Sequence, residues 1–229
     1  MIDLTPWNLA VPTPDEPTII STAQLNNGYR SRYFYPSDDG GIVFWVPVDG
    51  SHTEDARYPR TELRQTQSDG TLSFWGYQGA DNYLRAILAV NKVPSKGKIV
   101  IGQIHSEDVS GSQNDPLLKL QYHYKDGIGR VEALLRKYPG DREVQNIPIA
   151  TNVRLKERFK YTVNLSPDGM LSIKIHSDDG DYGLITRQVS ARWSVQSLYF
   201  KAGAYIQDNY GPSDEGGKVT FYDLDLIQH

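Results

Sequence analysis

The sequence predicts an all-β protein, a sandwich of two antiparallel sheets. Three observations carry this reading. Turn signals recur along the whole chain: Asp38-Asp39-Gly40-Gly41, Asp49-Gly50, Ser68-Asp69-Gly70, Asp126-Gly127, Pro139-Gly140-Asp141, Pro167-Asp168-Gly169 and Asp178-Asp179-Gly180. Between them lie short runs of strand character, several alternating apolar and polar residues with period two. No stretch repeats its apolar residues at helical spacing over three turns. Many short strands with few helices are the pattern of sheet packed on sheet.

In chain order the expected strands cover residues 42–48, 60–64, 84–90, 99–105, 117–124, 131–136, 161–165, 171–176, 199–207 and 219–226. The run 171–176 shows the logic. Leu171, Ile173 and Ile175 point one way, and Ser172, Lys174 and His176 the other. The 229 residues carry no repeat, low-complexity tract or linker, so residues 1–229 are expected to form one domain large enough to bury its own core.

Composition narrows the function. The net charge is −4, the reverse of what nucleic-acid binding by charge alone requires, so nucleic acid is not an expected partner. No apolar run is long enough to span a membrane, and a monomer is expected. With no cysteine, disulfides, thiolate metal sites and cysteine nucleophiles are excluded. The first residues, Met1 to Trp7, lack the charged and apolar regions of a signal peptide. Location is left open: the protein stays inside the cell, or a signal has been removed.

Three strands carry an unusual polar face. Arg60, Glu62 and Arg64 share one side of residues 60–64. Gln103 and His105 share one side of the run that ends at His105. Tyr199, Lys201, Gly203, Tyr205 and Gln207 alternate with the apolar set Phe200, Ala202, Ala204 and Ile206. Each pattern alone also suits ordinary solvated sheet surface with weak ion pairs. Side by side on one curved sheet, the three make a locally cationic groove, suited to an extended polyanion with apolar sugar faces.

The residues also limit the reaction. A glycosidase needs two carboxyl groups about 5–9.5 Å apart, and only Glu62 lies on these faces, beside arginines that keep it ionised. No Gly-x-Ser-x-Gly elbow is present. The five histidines are scattered, and the Asp-rich turns do not match a spaced calcium loop, so no metal is expected. What remains suits removal of a proton next to a carboxylate. In a uronic acid, Arg60 and Gln103 can neutralise and hydrogen-bond the carboxylate. His105 can take the C5 proton, and Tyr205 can protonate the departing O4 or serve as base itself. The result is β-elimination, which leaves a C4–C5 double bond and needs no cofactor.

In these residues the chain resembles the alginate lyases of polysaccharide lyase family 7. The blocks Arg60-Thr61-Glu62-Leu63-Arg64, Gln103-Ile104-His105 and Tyr199-Phe200-Lys201-Ala202-Gly203-Ala204-Tyr205-Ile206-Gln207 stand in that family's order and spacing. Tyr33-Phe34 and Phe44-Trp45-Val46-Pro47 add to the likeness, which runs from about Trp7 to Leu226. It implies a β-jelly roll with a concave substrate groove. It implies Arg60, Gln103, His105 and Tyr205 as the catalytic set, with His105 the base for guluronate and Tyr205 in both roles for mannuronate. Arg64, Tyr199, Lys201 and Gln207 are then expected to bind neighbouring sugars, and Glu62 completes that set as the group holding the arginines in place. Ile104 resembles enzymes that accept guluronate or mixed blocks. Endo action is expected because an open groove admits internal segments.

Two polar segments, residues 106–116 and 208–217, follow the active-site strands and are expected to act as lids. Two alternatives stand beside the alginate reading. One is a lyase of another polyuronate, such as a glucuronan. The other is a binding module without catalysis, which has no need of a base and an acid.

Overall fold

The computed structural model describes residues 1–107 and 114–229. Its strands, in chain order, are β1 (Trp7–Val11), β2 (Thr18–Ile20), β3 (Phe34–Pro36), β4 (Ile42–Pro47), β5 (Arg60–Gln65), β6 (Asn82–Lys92), β7 (Lys98–Glu107), β8 (Leu118–Lys125), β9 (Ile128–Arg136), β10 (Val144–Ala150), β11 (Arg158–Leu165), β12 (Met170–Ser177), β13 (Tyr182–Gln188), β14 (Ser197–Ile206) and β15 (Gly216–Gln228). A single helical turn, α1 (Thr22–Asn26), follows β2. One sheet runs β10-β9-β8-β7-β14-β5-β1-β2 and the other β13-β12-β11-β6-β15-β4-β3. This is the expected β-jelly-roll sandwich, and each of the ten expected runs overlaps a strand.

Period-two alternation sorts the side chains. Leu171, Ile173 and Ile175 are buried in the core while Lys174 and His176 are exposed. Large rings from both sheets fill the space between them: Trp7, Phe200 and Tyr122 from one, and Phe44, Phe159, Tyr161 and Phe221 from the other. Phe44 packs on Phe34 and Phe221 with ring centroids 5.1 and 5.0 Å apart. Turn chemistry closes the hairpins. Asp126 and Gly127 both take positive φ, 54° and 75°, which matches the twist of β8 and β9 on either side.

The two sheets differ on their outer faces. On the seven-stranded sheet, outward residues such as Lys160 and Lys174 are exposed. On the eight-stranded sheet the outward residues Glu62, Val100, Gln103, Gln121 and Glu132 are all buried, at 0–5% exposure. A flat surface cannot bury its own outward side chains, so this face is hollowed and its long polar residues cover one another.

Bulges help to shape it. The pairing of β7 with β8 slips between Val100 and Gly102, and that of β14 with β7 slips between Ala202 and Tyr205. At the first slip the Ile101 carbonyl turns inward and accepts a 3.1 Å hydrogen bond from the Tyr161 hydroxyl of the opposite sheet. At the second, Gly203 has φ 145°. A Cβ there would lie 2.7 Å from the Thr61 carbonyl oxygen and 2.9 Å from the Glu62 Cα, both backbone atoms that cannot swing aside.

Gly203→Ala is therefore expected to cost about 2–3 kcal/mol through backbone strain and collision. That corresponds to roughly 5–10 °C in Tm for a chain of this length, read by thermal denaturation. An unchanged Tm would mean that the second bulge is not held by glycine.

Candidate active site

The three polar strands are adjacent at the centre of the eight-stranded sheet, in the order β7-β14-β5. Register fixes who faces whom. Tyr199 lies opposite His105, Lys201 opposite both Gln103 and Arg64, Gly203 opposite Glu62, and Tyr205 opposite Arg60. The side-chain alternation thus gathers the imidazole, the phenol, the guanidinium and the amide on one hollow face.

Glu62 is the centre of this cluster. Its Oε1 lies 2.8 Å from an Arg60 guanidinium nitrogen and 2.7 Å from Lys201 Nζ. Its Oε2 accepts a 2.8 Å hydrogen bond from Gln103 Nε2. At 0% exposure it has no surface to offer a sugar. Glu62 sits beneath the groove floor and holds Arg60, Lys201 and Gln103 from below. It does not hold both arginines. Arg64 turns away, its guanidinium stacked 3.9 Å from the Tyr199 ring and 4.8 Å from the Phe74 ring, and it donates to the Gln65 carbonyl at 2.5 Å.

The protonation states follow from burial and charge. Burial alone would raise the Glu62 carboxyl, but the ammonium of Lys201 and the guanidinium of Arg60 more than offset it and hold it at about 2. Lys201 is lowered to about 8, first by burial and then by repulsion from Arg60. His105 is lowered to about 3 by burial and by the Lys201 charge, so its imidazole is neutral throughout the ordinary pH range. Its Nδ1 accepts from the Ser106 backbone N–H at 3.0 Å and lies 3.1 Å from both the Ser106 carbonyl oxygen and the Tyr199 hydroxyl, and the His105 and Tyr199 rings stack at 5.3 Å. Tyr205 is raised by burial, although the Arg60 guanidinium, 3.8 Å from its ring centre, works against that rise. A neutral base, a protonated phenol and a fixed guanidinium on one face are competent for proton transfer beside an anion.

Sequence reasoning passed over several residues of this face. Lys119 of β8 pairs with Gln103 and extends the polar row by one strand. Its ammonium is pushed down by burial and by Arg136 and Arg60 nearby. Gln121 and His123 follow it on the same face and both reach Glu132 of β9, at 2.7 and 3.3 Å. The signal was present in the alternation Leu118-Lys119-Leu120-Gln121-Tyr122-His123. Phe74 lies in the turn after β5 and carried no periodic signal. Gln207, just past β14, donates its backbone N–H to the Lys98 carbonyl oxygen at 3.0 Å and keeps the face of Tyr205.

Of the two expected lids, the segment 106–116 includes residues 108–113, which lie outside the described residues. The second is tethered. Asp208 is buried and accepts from the backbone N–H of Lys96 at 3.1 Å, Glu215 accepts from that of Ser95 at 2.7 Å, and Gly216 and Gly217 already belong to β15.

Because Glu62 is held at about 2, against its usual 4.5, its contribution to stability is complete above pH 4.5 and is lost as the pH falls towards 2. Glu62→Gln is expected to cost about 3 kcal/mol at pH 7, since it strands two cations. It should also flatten the stability curve across that acidic window, as measured by urea unfolding at a series of pH values. A variant with the same acid sensitivity as the parent would show that other carboxylates govern it.

A family model described as alginate lyase matches residues 2–228. An alginate lyase of Pseudomonas aeruginosa is 43% identical, with 99% of this chain and 100% of that chain aligned and a TM-score of 0.93. The family 7 alginate lyase A1-II′ is 27% identical over 99% of this chain and 94% of that one, with a TM-score of 0.82. It was solved with one histidine replaced by asparagine and one tyrosine by phenylalanine, in complex with the substrate GGMG. A curated alginate lyase of Klebsiella pneumoniae is 27% identical, covering 97% of this chain and 88% of its own length. With the model spanning nearly every residue and the same fold in each of these relatives, this chain belongs to the alginate lyase family, polysaccharide lyase family 7.

Proposed function

We propose that the protein depolymerises alginate by β-elimination, with the groove over β5, β14 and β7 as its active site. The observation that carries this reading is the convergence of His105, Tyr205, Arg60 and Gln103 on one hollow face, around a carboxylate that no sugar can reach. Arg60 and the second amide N–H of Gln103 take the uronate carboxylate and stabilise the negative charge that spreads onto it as the C5 proton leaves. For His105 Nε2 to accept that proton, Nδ1 must carry its own; the Ser106 carbonyl and the Tyr199 oxygen stand within reach as acceptors for it, in competition with the Ser106 backbone N–H, which donates to a bare Nδ1. The Tyr205 hydroxyl protonates the departing O4, and Arg60, stacked on its ring, stabilises the phenolate that remains.

For mannuronate, whose C5 hydrogen lies on the opposite side of the ring, Tyr205 serves as base as well as acid. Arg64, Tyr199, Lys201 and Gln207 bind the sugars on either side. The open groove suits endo action on guluronate or mixed blocks. The relative captured with substrate after one histidine and one tyrosine were replaced supports these two residue types as the reacting pair.

Tyr205→Phe and His105→Ala are expected to lower kcat by about two to four orders of magnitude on guluronate blocks while leaving the fold intact. The readout is the ultraviolet absorbance of the new C4–C5 double bond. Near-full rates for Tyr205→Phe on both guluronate and mannuronate blocks would refute the assignment. No absorbance rise with the parent protein on alginate, alongside a rise on glucuronan, would move the substrate to the other polyuronate.

The pH profile is a separate check. With His105 at about 3, kcat/KM should show no histidine limb between about pH 5 and 7. With Lys201 at about 8, it should decline above that pH as the ammonium is lost, and Lys201→Arg should move the decline upward. A decline that Lys201→Arg leaves in place belongs to another group.

A further inference from the structure

The hollow face does not end at Tyr205 and Gln207. Lys98, at the start of β7, shares the parity of Val100 and pairs directly with His123 of β8. Leu120 and Tyr122 of β8 point into the core, so His123 and its partner Lys98 face the groove, and Lys125 follows two residues on. Together with Lys96 these residues line a cavity of about 570 Å3. Gln207 adjoins it through the bond from its backbone to the Lys98 carbonyl oxygen.

Its charge is one-sided. Lys96, Lys98 and Lys125 contribute three ammonium groups. Among the described lining residues Asp126 is the one carboxylate. Glu132 lies beneath, 3.3 Å from His123 Nδ1 and 5% exposed. Asp208 is buried and engaged by the backbone of Lys96 and Tyr210, and Glu215 is engaged by the backbone and hydroxyl of the lining residue Ser95. In a chain of net charge −4, a basic cavity on the same face as the reacting groups calls for an anion that arrives with the substrate.

We propose that Lys98, Lys125 and His123, with Lys96 at the rim, form a distal subsite. It binds the carboxylate of a uronate sugar several residues along the polymer from the bond that breaks. This rests on the polyuronate reading of the groove. The subsite gives long chains an anchor that short oligomers do not reach, so it sets chain-length preference rather than the chemistry.

The test compares the double variant K98Q/K125Q with the parent protein on long alginate and on a trimer. The ratio of kcat/KM for polymer to that for trimer should fall about tenfold, through KM, as two charge-assisted contacts are lost. K160Q/K174Q, which removes the same charge from the exposed face of the other sheet, should leave that ratio alone. Calorimetric binding of polymer and trimer to protein carrying Tyr205→Phe reads the same contrast without turnover. It separates a failed subsite from a failed assignment of the reaction. Ratios for K98Q/K125Q within twofold of the parent, in kinetics and in binding, would overturn the subsite. So would an equal loss in K160Q/K174Q, which would assign the effect to overall charge.

Discussion

The active face depends on one buried carboxylate. Arg60 and Lys201 are like charges held against a single oxygen of Glu62, in a place where burial disfavours ions. Without that anion the two would repel, and each would gain by swinging into solvent. With it, both are fixed, and Gln103 is fixed by the second oxygen. The ionised state of Glu62 is thus less a stability device than a positional one. A buried ion pair gives uncertain net stability because desolvation offsets attraction. Here the three partners reach the groove in fixed directions, which is what a developing charge requires of its stabilisers.

The sheet supplies the rest of the geometry. Antiparallel pairing places a residue of β14 opposite one on each neighbour, so Lys201 meets both Gln103 and Arg64 without any loop having to bring them together. Sites built on paired strands inherit the rigidity of the ladder. The two slips in register bend that ladder locally, and Gly203 permits one of them by leaving no side chain between β14 and β5. The hollow follows from these departures as much as from the regular strands.

Much of this was legible in the residue order. Parity alone assigned Gln103 and His105 to one face, and Phe200, Ala202, Ala204 and Ile206 to the core, because a strand has only two sides. What parity could not give was depth. Glu62 reads as one more polar residue between two arginines, and only the curvature of the sheet decides that it lies below the groove floor. Nor could alternation say which cation Glu62 meets. Arg64 was the near neighbour in sequence, whereas Lys201, far along the chain, was the near neighbour across the ladder. The edge strands β2, β3, β10 and β13 were harder to see for a related reason. They are short, interrupted as by Pro148, or one-sidedly exposed as at Tyr182 and Leu184, so their patterns are diluted. Phe74 could not be found at all by period, since a turn has none.

The hydroxyl of Tyr161 reaches from the opposite layer to the backbone two residues before Gln103. It acts as a strut through the interior, joining the seven-stranded sheet to the eight-stranded one that carries the hollow polar face. Repacking on the far side of the molecule is therefore not silent. A shift of β11 by a few tenths of an ångström would be passed to the stretch of β7 that carries Gln103 and His105. Engineering for heat tolerance on that remote layer is engineering of the hollow face as well.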